Sequence, residues 1–512
     1  MKIERQALSS QKQLKIGALI SYSSIAVNVM VALLYTPWMI RQIGQADYGL
    51  YTLSTTAINM FLIDFGIGSA VSRFVSKYHA ENNQEKIDDF LGMIYKLFAL
   101  VSGIIFLILI ALYFFIGKIY TSLTPEELEK FKVVYIIGAT YGVVSFPFSA
   151  TLNGILNSYE KFIQMKTCDL VQRILTVLLI AAALFFGLGL YALVTVHAVV
   201  GLVLILIRLR LLRRSTPIRV NFTYFNRSHL KEVVGFSMWV TVSAVCSRFI
   251  MNITPSILGI TSGAVAISIF GVASALEGYT YLFSSAVDGM FMPKISRIVK
   301  NGNSAENLLA LMKKVGRFQF SITSLIVVGF VLAGKEFISL WLGPDFSEVY
   351  LCGILLLLPA PFYLSQQVAK TTVVVLNKVK YQAYVNLAKS AFNVIAAVIL
   401  SYFFGATGAC VSICIAYFIR NMGMDLVYRN ILKIDMLAFY KSCYFKNSIS
   451  IALTMVTGFL INHYFKADRW LDLGIKVLLY VVVYFIYLWT ISMDAYEKGL
   501  VKNVFKRVKR PR

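Results

Sequence analysis

The sequence predicts an all-α polytopic membrane protein. It should hold about 14 transmembrane helices, arranged as two six-helix lobes in parallel pseudo-repeat plus two C-terminal helices. Three observations predict this. The 512 residues are 58% hydrophobic and 14% charged, with a mean hydropathy of +0.72, more apolar than a soluble domain of this size needs. Apolar segments of roughly 20 residues, the length that crosses a bilayer, recur along the whole chain. Basic residues concentrate in alternate connections between those segments. A transmembrane β-barrel is excluded, because its strands would alternate apolar and polar residues.

The spans are read at residues 16–38, 48–72, 91–116, 132–156, 166–185, 189–207, 233–258, 264–291, 317–334, 350–375, 382–404, 407–428, 446–464 and 471–492. Glycine turns mark the tightest breaks, GLGL before the sixth span and GATG between the eleventh and twelfth. The N-terminal MKIERQALSSQKQLK is basic and polar, and no A-x-A cleavage site follows. The first span is therefore read as retained rather than as a signal peptide. Cys168, Cys246, Cys352, Cys410, Cys414 and Cys443 are scattered, mostly within apolar segments. They show no metal-ligand spacing, and no disulfide is expected.

The net charge is +24. With the N-terminus inside, 35 of the 49 Lys and Arg residues fall on cytoplasmic segments, seven on outer loops and seven within spans. This is the positive-inside pattern, and it predicts a multi-pass protein of the bacterial cytoplasmic membrane with both termini cytoplasmic. The rest of the positive charge suits attraction to anionic lipid heads, so no nucleic acid partner is needed.

The domains follow from the loops. Residues 1–210 form an N-lobe of spans one to six, and 211–231 a basic cytoplasmic linker. Residues 232–430 form a C-lobe of spans seven to twelve, and 431–512 hold the last two spans and a basic tail. An internal repeat accompanies the division. LKIGALISYSSIAVNVMVALLYTPWMI and LKEVVGFSMWVTVSAVCSRFIMNITPSIL both begin Leu-Lys and reach Thr-Pro about twenty residues on. Six spans per half give both halves one orientation, and parallel repeats of that kind place a substrate site between them near the midplane.

The stretch IGQADYGLYTLSTTAINMFLIDFGIGSAVSRFVSKYHAEN carries a resemblance. It has a short outer turn with Gly44 and Tyr48-Gly49, then Asp64-Phe65-Gly66-Ile67-Gly68 closing a second span, then Arg73 at the inner exit. It resembles the polysaccharide biosynthesis/export flippases of the multidrug/oligosaccharidyl-lipid/polysaccharide superfamily. The span count and the basic interior agree along the whole chain. The resemblance implies a V-shaped pair of lobes and alternating access. It implies translocation of an undecaprenyl-diphosphate-linked oligosaccharide for cell-surface polysaccharide assembly. The implied partners are that lipid-linked oligosaccharide, membrane lipids, and a polysaccharide polymerase with its chain-length machinery. The chain is expected to act as a monomer, with no cofactor.

Charges inside the spans are the candidate site residues. The cations are Lys96, Arg173, Arg248, Lys370, Lys389, Arg420 and Lys476; the acids are Asp64, Asp169, Glu277, Asp288 and Asp425. The excess of cations favours an anionic ligand. Lys96, Lys370 and Lys476 lie near span ends, where snorkelling is expected. Asp169 and Arg173 are spaced to pair along one helix, or Arg173 serves the site instead. Arg248 is too deep to snorkel easily, and a cation at that depth costs ~2.5–3.5 kcal/mol or more. Ser237, Thr241, Arg248, Asn252 and Pro255 fall on one helical face, which must look at protein or water rather than lipid. Arg248 is either paired with an acid on a neighbouring helix or is a cavity cation whose planar fork suits diphosphate oxygens.

Glu277, Tyr281, Ser284 and Asp288 form another single face. If Glu277 faces Arg248, it is a static bridge or a charge-balancing acid displaced by substrate. Arg173, Lys389 and Arg420 extend the diphosphate-binding cations. Asp64 is either a structural carboxyl or a site for a coupling ion or proton. His197, alone in LVTVHAVVG, reads as a core histidine.

Three competing functions remain. A cation-coupled drug or toxin antiporter of the same superfamily would want an acidic cavity, whereas this interior leans basic. A membrane polymerase or glycosyltransferase acting on the same lipid-linked glycan would need catalytic carboxylates. No D-x-D pair, no paired outer-loop carboxylates and no large covering loop occur, so the chain is read as a non-enzyme. No G-x-x-x-x-G-K-[ST] occurs either, which removes ATP as the direct energy source. A non-transporting scaffold of polysaccharide assembly is the third.

Overall fold

A computed structural model of the chain describes residues 30–31, 33–62, 67–159, 161–227, 245–246, 249–285, 292–300, 305–494 and 497–499. Among them every regular element is helical, and ten helices are long and apolar enough to cross a membrane. Two compact units divide the chain. The first takes residues 1–271 and 394–409, the second residues 272–393 and 410–512.

The first unit begins with α1 (residues 33–43), α2 (Gln45–Asn59), α3 (Ile67–Ala80), α4 (Gln84–Ile119) and α5 (Pro125–Ser158). α6 (Phe162–Phe185), α7 (Gly189–Ser215) and α8 (Phe249–Thr261) follow. Local chemistry fixes the long helices. Asn83 caps α4 by accepting from the Lys86 amide at 3.0 Å. Thr124 and Glu127 form a reciprocal capping box at the start of α5, with Pro125 in the first turn where its missing N–H costs nothing. α5 is the hub, packed against α2, α3, α4 and α7. The GLGL break is realised as a turn in which Gly187 and Gly189 both have positive φ.

The segment read as a basic linker does not run free after α7. Residues 216–227 lie along the start of α4. The Arg219 amide donates to the Asp88 carboxylate at 2.8 Å, the Asn221 side chain donates to Asp89 at 2.7 Å, and the Asn221 amide bonds the Asp88 carbonyl at 3.0 Å. Gly92 permits this contact, because a Cβ there would sit 1.8 Å from the Asn221 carbonyl oxygen. Lys96 donates to the Tyr224 carbonyl at 3.2 Å, at the same end of α4.

The second unit takes up most of α9 (Gly263–Ser285), then α10 (Met292–Lys300) and α11 (Ala305–Trp341). At 37 residues α11 is ~55 Å long, well beyond the bilayer's apolar thickness. It is the hub of this unit, packed against the helices that follow. The expected tenth span, 350–375, is not one helix. It is three short ones, α12 (Glu348–Leu357), α13 (Ala360–Leu364) and α14 (Gln367–Val375); Pro359 and Pro361 interrupt the backbone ladder at the first break, and a turn at Ser365 and Gln366 makes the second.

α15 (Val379–Ile431) joins the expected eleventh and twelfth spans. Gly405 interrupts it with φ 54 and ψ −136, a conformation that only glycine takes readily, so the GATG break falls where the sequence places it. α16 (Met436–Tyr440) and α17 (Lys446–Tyr464) flank a π turn at Lys441–Phe445. α18 (Trp470–Tyr487) ends in a second π turn at Leu488–Ser492. The expected second span, 48–72, also departs from a continuous helix: α2 stops at Asn59 and a turn follows at Met60 and Phe61.

Candidate functional site

Arg248, Ser237, Thr241, Asp64 and Asp288 lie outside the described residues. Asn252 lies on α8 and is half-buried. The remaining candidates fall into one cluster in the second unit and one cavity in the first.

The cluster gathers around Glu277 on α9. The Tyr363 hydroxyl of α13 donates to its carboxylate at 2.8 Å. Tyr363 stacks on Tyr417 of α15, centroids 5.2 Å apart. Lys389, only 2% exposed, holds its ammonium 4.4 Å from the Tyr417 ring centre and acts electrostatically on Glu277. Arg420 lies over the other ring, 6.0 Å from the Tyr363 centroid, and its Nε donates to the Asn386 side chain at 3.3 Å. Tyr281, one turn on from Glu277, lies within electrostatic reach of Tyr417. The structure thus unites four predicted residues, Glu277, Tyr281, Lys389 and Arg420.

It adds three that sequence reasoning missed: Tyr363, Tyr417 and Asn386. A signal for two of them was present. Asn386 and Lys389 are three apart, as are Tyr417 and Arg420, so each pair shares a helical face. Chemically the cluster sets two cations and two aromatic faces against one carboxyl. A desolvated cation over an aromatic ring gains about 2 kcal/mol, which helps hold positive charge in an apolar interior. Such a group can receive an anion that bears a flat or ring-shaped neighbour.

The cavity lies in the first unit, about 260 Å³, walled by α2, α5 and α7. His197 lines it, edge-on to the Tyr141 ring at 5.7 Å, and so faces open space rather than closed core. Arg173 of α6 is exposed and within electrostatic reach of Tyr35, Tyr51 and His197. Its expected pairing with Asp169 does not form. Asp169 instead accepts from the buried Arg208 of α7 at 2.8 Å and meets Lys166 at 3.6 Å.

One more charge departs from expectation. Lys476 does not snorkel. It is wholly buried and donates to both oxygens of Glu336 on α11, at 2.6 and 2.8 Å. Asp425 accepts from Gln366 at 3.1 Å and from the Tyr440 hydroxyl, a structural tie among α14, α15 and α16. All six cysteines are buried, and none is in a disulfide. Among the described residues no group of His, Cys, Asp and Glu is spaced to hold a metal.

Ten long apolar helices among the described residues, with charges held inside the fold, define a polytopic membrane protein. A family model described as "Polysaccharide biosynthesis protein" matches residues 14–299, more than half of the chain, and the protein belongs to that family. The chain is 22% identical to the uncharacterized membrane protein EpsK of Bacillus subtilis (strain 168), over 95% of this chain and 97% of EpsK. Among solved structures it is similar to the lipid II flippase MurJ in an inward closed conformation. The TM-score there is 0.73 at 17% identity, covering 92% of this chain and 97% of MurJ. It is also similar to an inward-facing multidrug resistance MATE family transporter of the MOP superfamily. That TM-score is 0.64 at 15% identity, covering 80% of this chain and 99% of the transporter. The fold is thus the one shared by MOP-superfamily flippases and transporters.

Proposed function

We propose that the protein moves a lipid-linked, diphosphate-bearing oligosaccharide across the bacterial cytoplasmic membrane by alternating access, for cell-surface polysaccharide assembly. The lipid is undecaprenol. Fourteen spans form two six-helix lobes and a C-terminal pair, with both termini cytoplasmic. The chain works as a monomer that delivers its cargo to a polymerase with chain-length machinery.

The observation that carries this reading is the cluster of Lys389, Arg420, Tyr363 and Tyr417 around Glu277. Its two cations outnumber its one acid, which suits a diphosphate. Its rings offer faces for an attached sugar. Family membership and the inside-basic charge pattern support the same reading. Arg248 and Arg173 are the further diphosphate-binding cations of this scheme, and Asp64 and Asp288 its coupling or charge-balancing acids. One observation favours the antiporter instead: a carboxyl beside two tyrosine rings is also a setting for an organic cation.

The test is flipping of a fluorescent undecaprenyl-diphosphate oligosaccharide in proteoliposomes. Lys389→Met and Arg420→Gln should each slow it about tenfold, the worth of one charged hydrogen bond of ~1.5 kcal/mol. Arg248→Ala should do the same, with partial rescue by Arg248→Lys. A wild type that leaves this lipid in place yet moves a cationic dye would overturn the proposal in favour of the antiporter.

A further inference from the structure

The cavity of the first unit is lined by side-chain oxygens whose protons are already engaged. Thr55 donates to the Tyr51 and Thr52 carbonyls at 3.0 Å. Ser145 donates to the Gly142 carbonyl at 3.1 Å, and Ser149 to that of Phe146 at 3.3 Å. Ser54 reaches the Val134 carbonyl at 3.4 Å. A hydroxyl has one proton and two lone pairs, so what these four offer the cavity is acceptance. Donors on the wall are the His197 imidazole, the Tyr51 hydroxyl and the Asn59 amide, and the Arg173 guanidinium lies outside the lining, within electrostatic reach of Tyr51 and His197.

That pattern selects among ligands. A bare phosphate carries acceptors only and would face the lone pairs of four oxygens. An organic cation would be repelled by Arg173. An alcohol both donates and accepts, and a ring carrying several of them matches a wall with both kinds of partner. The size agrees. At about 260 Å³ the cavity falls just below the ~300–1,000 Å³ of drug-sized sites, which is room for one sugar ring. The Tyr141 ring, set edge-on to His197, adds an apolar face of the kind that a pyranose covers.

We infer that this cavity is a carbohydrate subsite, which takes a single polyhydroxylated ring of the transported headgroup. The inference rests on the flippase reading for its cargo, but the subsite is testable without it. Gly201 supplies a disrupting variant: a Cβ there would come within 2.0 Å of the Tyr141 hydroxyl oxygen, so Gly201→Ala must displace a ring that lines the cavity. Ser149→Ala and Thr55→Val remove acceptors at almost no change in volume.

The first measurement compares flipping of undecaprenyl diphosphate carrying one hexose with flipping of the same lipid diphosphate without sugar. Ser149→Ala and Thr55→Val should each slow the hexose-bearing lipid about fivefold, the worth of one ordinary hydrogen bond, Gly201→Ala should slow it at least as much by displacing the Tyr141 ring, and all three should leave the sugarless lipid within about twofold. Equal slowing of both lipids, or of neither, overturns the subsite. The second measurement is saturation transfer from detergent-solubilised protein to the ring protons of a free hexose 1-diphosphate. Transfer in the wild type and its loss in Gly201→Ala and Ser149→Ala support the subsite, even if neither lipid is flipped and the transport reading falls. No transfer in the wild type overturns it.

Discussion

Lys476→Met tests whether a lysine expected at a membrane interface is instead a structural core charge. Its ammonium has no exposure and binds both oxygens of Glu336, on a helix 140 residues earlier in the chain. Removing one member of a fully buried pair costs about 3–5 kcal/mol, most of it the stranded partner. Glu336 keeps 27% of its side chain exposed, so its orphaned carboxylate recovers part of its hydration, and the expected loss is about 2–3 kcal/mol. That is roughly a 30- to 150-fold change in the unfolding equilibrium.

The double variant Lys476→Met with Glu336→Leu should return to within about 1 kcal/mol of wild type, since a well-packed apolar pair replaces an ionic one at little cost. Titration with a denaturing detergent, followed by tryptophan emission, reads the change locally. Phe337 stacks on Trp341 at 5.2 Å and meets Trp470 edge-on at 6.2 Å, next to the ion pair. A Lys476→Met protein as stable as wild type would refute the reasoning and restore the snorkelling lysine.

Three further outcomes are expected. Gly405→Ala forces an L-residue into φ 54, ψ −136 and should cost about 1–3 kcal/mol, seen as a smaller monodisperse fraction on size-exclusion chromatography. Arg317→Lys removes a planar fork that binds both oxygens of Glu497 at 2.8 Å and the Ser442 and Ser492 carbonyls at 2.8 and 2.6 Å. Protease cleavage of the chain after Ser492 should then speed about tenfold. Gly92→Val cannot coexist with the Asn221 carbonyl 1.8 Å from its Cβ, so residues 216–227 should lift from α4 and become sensitive to limited trypsin digestion at Arg219.

What the sequence disclosed and what it hid have different physical ranges. Hydropathy is a property of single residues summed over a window, so the helical class and most spans were legible. So were the glycine breaks at residues 187–189 and 405, because a positive φ is a local demand. Proline acts locally too, yet the interruption at Pro359 and Pro361 was masked by the apolar run around it. Ion pairing was the least legible. Spacing left Asp169 either paired with Arg173 one turn away or without it; it bonds Arg208 on the next helix. Lys476 was given water, but it bonds Glu336 on α11. Both choices belong to tertiary packing, which no spacing within one helix encodes. The candidate site divides in the same way. Glu277 with Tyr281, and Lys389 and Arg420 as membrane cations, were readable from depth and helical face. That Tyr363 and Tyr417 would cover those charges was not.

The π turn at Lys441–Phe445 sets the azimuth of everything beyond it in α17. A helix advances about 100° per residue, and a π turn accommodates one residue more than the α pitch allows. Arg317 holds that surplus by taking the Ser442 carbonyl. Beyond it Asn447, Ser450, Thr454 and Gly458, stepping three, four and four, are the buried stripe of α17. Were the turn to tighten into ordinary α-helix, the stripe would swing through more than a quarter of a revolution. Its amide and hydroxyls would then face hydrocarbon in place of protein. One guanidinium thus acts as a clocking pin for a helix, and a single-residue deletion within 441–445 is equivalent to pulling it.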